Sequence, residues 1–117
     1  MGTKEVVQDY FGKLRQKGGW DALLGDDMVF TSFASPTKEI KGKQAYLQST
    51  KRFFSMVNSV EVRDLVVEGE RACALTRYEI KPPGGTPFRS DVAEIFTVRN
   101  GRIASFGIYF DASPYPK

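Results

Sequence analysis

The chain of 117 residues contains no histidine and one cysteine. Without imidazole there is no histidine general base, no histidine-containing triad and no histidine-ligated metal site. A single thiol, Cys73, excludes an intrachain disulfide. It lies in an alternating apolar run with no imidazole to deprotonate it, so it reads as a small buried side chain. Hydrophobic runs of membrane-spanning length are missing, and the first residues show no signal-peptide pattern. Met1-Gly2 opens like a myristoylation site, but Val6 stands where Ser or Thr is needed. One-sided charge is missing too. The net charge is +3, and Lys4, Lys13, Arg15, Lys17, Lys38, Lys41, Lys43 and Arg63 are scattered rather than gathered into a stripe among aromatics. No glycine-rich phosphate cradle or cluster of metal ligands is present. These absences predict a cytoplasmic protein with no cofactor, no metal, no nucleic-acid partner and no membrane partner.

What the chain does have is enough apolar material for one core. Its hydrophobic fraction is 41% and its aromatic fraction 13%, at the length of a single domain spanning residues 1–117. Val6, Val7, Tyr10, Phe11 and Leu14 recur at helical spacing. Thr3 is the expected cap of that helix and Gly18-Gly19 its stop. Trp20 to Leu24 reads as a short helix leaving through Gly25-Asp26-Asp27, and Met28 to Phe33 as a strand. Ala34 to Lys41 reads as a loop broken by Pro36. A second helix begins near Gly42, with Tyr46, Leu47, Thr50, Phe53, Phe54 and Val57 on one stripe. Beyond Asn58 the apolar period changes to two. Strands are expected at 60–67, 71–80, 88–98 and 102–110, followed by a proline-containing tail from Ala112. Helices first and antiparallel strands afterwards predict an α+β fold, with helices on one face of a sheet.

The Arg99-Asn100-Gly101 turn bears on which residues face inward. A two-residue loop pairs Val98 with Ile103; a three-residue loop with left-handed Gly101 pairs Val98 with Arg102 and reverses every facing. The three-residue register gathers Phe88, Val92, Phe96, Val98, Ala104, Phe106, Ile108 and Phe110 on one face, and it is the register expected here. It leaves one charged residue on that face, Glu94, opposite Phe106. Desolvation there raises a carboxyl pKa. Such a group is either an acid/base or hydrogen-bond donor in a site, or a structural glutamate bonded to Tyr10 or a backbone amide.

Several segments, in this order and spacing, resemble the nuclear-transport-factor-2-like superfamily, in its SnoaL-like and ketosteroid-isomerase-like branch. They are Val6-Val7-Gln8-Asp9-Tyr10, Trp20-Asp21-Ala22-Leu23-Leu24 ahead of Asp26-Asp27, Gly42-Lys43-Gln44-Ala45, and Glu94 through Ile103. The resemblance covers nearly the whole chain. It implies a cone-shaped, curved antiparallel sheet, an α+β barrel, packed on the helices around a deep apolar pocket, with homodimers through the sheet. This fold hosts many unrelated functions.

The resemblance carries site residues over one at a time. Ketosteroid isomerases form an oxyanion hole from a tyrosine on the first helix and a buried acid on a late strand; Tyr10 and Glu94 match those places. Their proton-shuttling aspartate is matched by Ser32, which cannot do that work without a base. In relatives that hydrolyse epoxides, an Asp-Arg-Asp set works with a Tyr and an Asn. Arg77 and Glu79 match two of those places, while Ile108, Phe30 and Ser32 replace the others. Scytalone-dehydratase-like chemistry requires histidine. Arg77 and Glu79 have two readings. In one register they face Asp91 and Arg89 across the outer face as ordinary ion pairs. In the other they enter the pocket, where Arg77 would clamp an anionic oxygen. The expected catalytic set is therefore Glu94, Tyr10, Arg77 and Glu79. The expected ligand contacts are Trp20, Phe30, Ser32, Phe54, Phe96, Phe106 and Ile108, although plain core is the usual role of such aromatics.

Three functions fit. The first is isomerase, lyase or hydrolase chemistry on a small apolar oxygen-bearing molecule. The second is ligand binding without turnover. The third is association through an outer apolar patch of Tyr78, Ile80, Ile95 and Tyr109.

Overall fold

The computed structural model describes residues 2–34 and 37–115. Helix α1 (Thr3–Arg15) buries Val6, Val7, Tyr10, Phe11 and Leu14, the stripe its spacing predicts. Its cap is Gly2 rather than Thr3. The Thr3 hydroxyl instead donates to the Gly69 carbonyl at 2.7 Å, tying the start of the helix to a strand turn. A 3-10 turn, Trp20–Leu23, leads directly into β1 (Leu24–Ser32), so Gly25, Asp26 and Asp27 are strand residues.

Strand β2 (Lys38–Lys41) runs antiparallel to β1 where a loop is expected. Lys38-Glu39-Ile40-Lys41 has one apolar residue, so no alternation marks it; charged side chains of this kind protect a sheet edge from further pairing. Pro36 falls outside the described residues. Helix α2 (Lys43–Met56) follows, with Tyr46 fully buried and Leu47, Phe53 and Phe54 packed against the core. Val57 begins β3 (Val57–Glu68) rather than closing α2. The remaining strands are β4 (Arg71–Ile80), β5 (Phe88–Arg99) and β6 (Arg102–Phe110). No helix among the described residues is long and apolar enough to cross a membrane.

All six strands form one curved, open sheet in the order β2-β1-β6-β5-β4-β3. It is not a closed barrel. Nor is it wholly antiparallel, because β1 and β6 run parallel. The helices cover its inner face, and Tyr10, Phe11, Phe96 and Phe106 meet there in edge-on and stacked pairs with centroids 5.1–6.2 Å apart.

The β5–β6 turn has two residues, not three. Arg99 pairs with Arg102 and Val98 with Ile103. Asn100 and Gly101 both have positive φ, 54° and 75°, as a tight hairpin turn of this hand requires. The register then slips by one residue, so that Thr97 faces Ser105 and Ala104 is the extra residue of a bulge. Phe96 consequently faces Phe106, and Glu94 faces Ile108 rather than Phe106. The bulge lets Ile103 and Phe106 both point inward although they are an odd number of residues apart. An apolar face and a two-residue loop are thus compatible, which a regular ladder forbids.

Candidate active site

A cavity of about 370 Å³ lies between α2 and the inner face of the sheet. Phe30, Phe53, Phe106 and Ile108 supply apolar wall, and Ser32, Ser49 and the exposed Lys38 lie on the same lining. Glu94 is the only carboxylate on that lining among the described residues.

Glu94 is 2% exposed and sits among apolar neighbours on β5. Its Oε2 accepts hydrogen bonds from Thr76 Oγ1 at 2.7 Å and Tyr78 Oη at 2.8 Å. Both donors come from β4, the strand paired with its own. Burial raises its pKa from the usual carboxylate range to about 7, against the opposing pull of these two donors. The carboxyl therefore changes charge near neutrality, within a wall that is otherwise apolar.

Three tyrosines adjoin it. Burial, reinforced by the charge of Glu94, raises the pKa of Tyr10, Tyr46 and Tyr78, so all three keep their protons at neutral pH. Tyr78 donates to Glu94. The buried hydroxyl of Tyr10 makes no well-formed hydrogen bond, its polar neighbour being the Tyr46 hydroxyl. A buried, unpaired hydroxyl costs about 1–3 kcal/mol, and Tyr10 is on the cavity lining, where a ligand oxygen can satisfy it.

The expected site residues divide into those on the cavity and those elsewhere. Glu94, Tyr10, Phe30, Ser32, Phe54, Phe106 and Ile108 line the cavity. Arg77 and Glu79 do not. Arg77 pairs bidentately with Asp91 on the outer face, Nε to Oδ1 at 2.7 Å and Nη2 to Oδ2 at 3.2 Å. Glu79 pairs with Arg89 at 3.3 Å on that face. The strand alternation that turns these two outward turns Thr76, Tyr78 and Ile80 inward. Tyr78 and Ile80 are consequently core residues, 3% and 1% exposed, and no part of an outer patch.

Phe96 is fully buried and stacks on Phe106 behind the cavity wall. Trp20 packs on Phe54 at 4.9 Å and lines a separate, more polar cleft of about 280 Å³ with Arg15, Lys17 and Asn58. That cleft shares Phe54 with the first cavity and has apolar lining of its own in Leu14 and Val60, but no carboxylate among its described residues, so Glu94 belongs to the first cavity.

Thr76 and Tyr78, which hold the carboxylate, are absent from the sequence-derived site. A signal for them exists: Arg77 opposite Asp91 and Glu79 opposite Arg89 are two complementary pairs in one register. Accepting both pairs sends Thr76 and Tyr78 to the face of Glu94.

Residues 9–106 match the model of the SnoaL-like domain family. The chain belongs to this family. Among solved structures, this SnoaL-like chain is similar to a protein of Kribbella flavida at 21% identity and TM-score 0.80, over 95% of this chain and 88% of that one. It resembles a protein of Mesorhizobium loti named for SnoaL-like polyketide cyclases at 22% identity and TM-score 0.77, over 93% and 99%. An epoxide hydrolase of M. tuberculosis, of the LEH-like kind, is similar at 22% identity and TM-score 0.77, over 92% and 81%. At these identities the likeness establishes the fold alone. Among curated proteins no sequence match is found.

Proposed function

We propose that this SnoaL-like domain binds a small, largely apolar molecule carrying one oxygen function, and that Glu94 exchanges a proton with that oxygen. The observation that carries this reading is a lone carboxyl with a pKa near 7 on the wall of an apolar cavity. Thr76 and Tyr78 both engage Oε2, so Oε1 accepts from neither and is the atom that would meet a ligand. Protonated, Glu94 donates to a carbonyl or hydroxyl oxygen; ionised, it takes that proton back. Tyr10 supplies a second donor. Two such donors suit the stabilisation of an enol or enolate oxygen. Among the described lining residues Glu94 is the only carboxylate, and Ser32 matches the place of the isomerases' proton-shuttling aspartate, so no second carboxylate stands ready to take a carbon-bound proton. The reading is therefore acid/base chemistry at one oxygen. Epoxide hydrolysis by an Asp-Arg-Asp set is disfavoured by the outward Arg77 and Glu79.

The test is a thermal-shift screen of phenols, terpenoid and steroid ketones and polyketide fragments on the wild type and Glu94→Gln. Stabilisation by one chemical class that changes in Glu94→Gln supports the reading. Equal responses of both proteins to every compound would remove Glu94 from it.

A second reading concerns the other side of the sheet. Phe33 stacks on Tyr109 at 4.4 Å and 8°, and both are more than 40% exposed, as are Leu75 and Val66. This outer apolar surface fits a homodimer formed sheet to sheet, with or without turnover in the cavity.

A further inference from the structure

One residue of the cavity lining, Tyr115, lies beyond the last strand. After β6, the Asp111 carboxylate accepts bonds from the Ser113 N–H at 2.9 Å and its hydroxyl at 2.8 Å. The Tyr115 N–H bonds to the Ala112 carbonyl at 3.1 Å. This tight turn places the Tyr115 ring against Phe88 at 5.0 Å and Phe110 at 5.3 Å. Its hydroxyl donates to Ser90 Oγ at 2.9 Å. Ser90 is 1% exposed and points inward from β5, two positions from Val92. Tyr115 lines the cavity next to Val92 and Phe110, whereas Ser90 and Phe88 do not line it.

We infer that Tyr115 is a specificity-determining wall, which fixes how long a molecule can be and still reach Glu94. Along β5 the inward residues run Glu94, Val92, Ser90, Phe88, each step covering about 7 Å. The ring closes this row after Val92. Without it, the cavity continues along the same strand past Ser90 towards Phe88. The hydrogen bond to Ser90 and the ring contacts with Phe88 and Phe110 hold the ring in place. The inference rests on the reading of the cavity as a ligand site; it adds a length limit to that reading.

The experiment measures affinities of straight-chain methyl ketones, from butanone upward, for the full chain as wild type, Tyr115→Phe, Tyr115→Leu and Tyr115→Ala. Each methylene buried against apolar wall tightens binding roughly fourfold. In the wild type this gain stops at one chain length. Tyr115→Ala continues it for several more carbons, Tyr115→Leu for fewer, and Tyr115→Phe stops near the wild-type length. The same stopping length in all four proteins would overturn the inference while leaving the ligand site intact. A ligand-independent arm uses xenon-pressurised crystals of wild type and Tyr115→Ala. A new xenon site between Val92 and Phe88 in the variant supports the inference even if no ketone binds. Identical xenon sites in both proteins would overturn it.

Discussion

Tyr78 Oη and Thr76 Oγ1 both donate to one oxygen of Glu94, at 2.8 and 2.7 Å, and leave the other oxygen without them. They hold the carboxyl in one orientation but do not cancel the desolvation that raises its pKa. A carboxyl held in this way makes the protein's stability depend on pH in a direction opposite to that of surface ion pairs.

The folded pKa of Glu94 is about 7, above the ordinary glutamate value of 4.5, so the folded state holds this proton more tightly than the unfolded chain. Its contribution is fully present below about pH 4.5 and is lost as pH rises through 7. The loss should amount to about 3 kcal/mol. Glu94→Gln keeps an oxygen to accept from Thr76 and Tyr78 and cannot ionise. Urea unfolding at pH 5 and pH 8.5 should show wild-type stability falling and Glu94→Gln nearly constant. Parallel pH profiles for the two proteins would contradict the assignment.

Tyr10→Phe removes a buried hydroxyl that makes no well-formed hydrogen bond. Stability should stay level or rise by about 1 kcal/mol, because no hydrogen bond is lost with it. Affinity for any ketone found in the screen should nevertheless fall about tenfold, one good hydrogen bond. Thermal melts and calorimetric titration on the same preparation separate the two effects. A large loss of stability would mean that the hydroxyl is structural.

Ala104 is the extra residue of the β6 bulge. Deleting it with the Asn100-Gly101 turn kept leaves Val98 opposite Ile103, Thr97 opposite Ser105 and Phe96 opposite Phe106 in a regular ladder, so Phe106, Ile108 and Phe110 keep their inward face. The deletion should therefore still unfold cooperatively when followed by circular dichroism, losing only the local bend of the bulge. Ala104→Ser, which keeps the residue count, should change stability by less than about 1 kcal/mol. A deletion variant without a cooperative transition would show that the bend itself is required.

On the outer face, a Cβ added at Gly107 would lie 2.7 Å from Cε2 of Phe33, so Gly107→Ala must push that ring off Tyr109. The atom it meets is the far end of a side chain, so the fold should survive with little loss. Sedimentation velocity should show the wild type as a dimer, with Gly107→Ala and Tyr109→Glu shifted towards monomer. A wild-type monomer at all concentrations would remove the association reading.

The sequence was most legible where one local period decides the structure. The α1 stripe from Val6 to Leu14 and the spans of β4 and β6 appear as the spacing predicts. Glu94 was legible for the same reason, as a charge interrupting an alternating apolar strand, and the residues around it marked the SnoaL-like family. Strand β2 was not, because an edge strand with one apolar residue has no pattern to read.

What only the tertiary structure decided is how the strands align. Register is a relation between two strands, and a single residue of slippage exchanges faces without changing either strand's own pattern. The bulge at Ala104, the outward turn of Arg77 and Glu79, and the arrival of Thr76 and Tyr78 beside Glu94 all follow from such alignments. The alternating pattern of β5 determined that this chain builds one apolar face with a carboxyl in it. The pairing of β4 with β5 determined which side chains hold that carboxyl, because hydrogen-bond partners are fixed by neighbours across the sheet rather than along the chain.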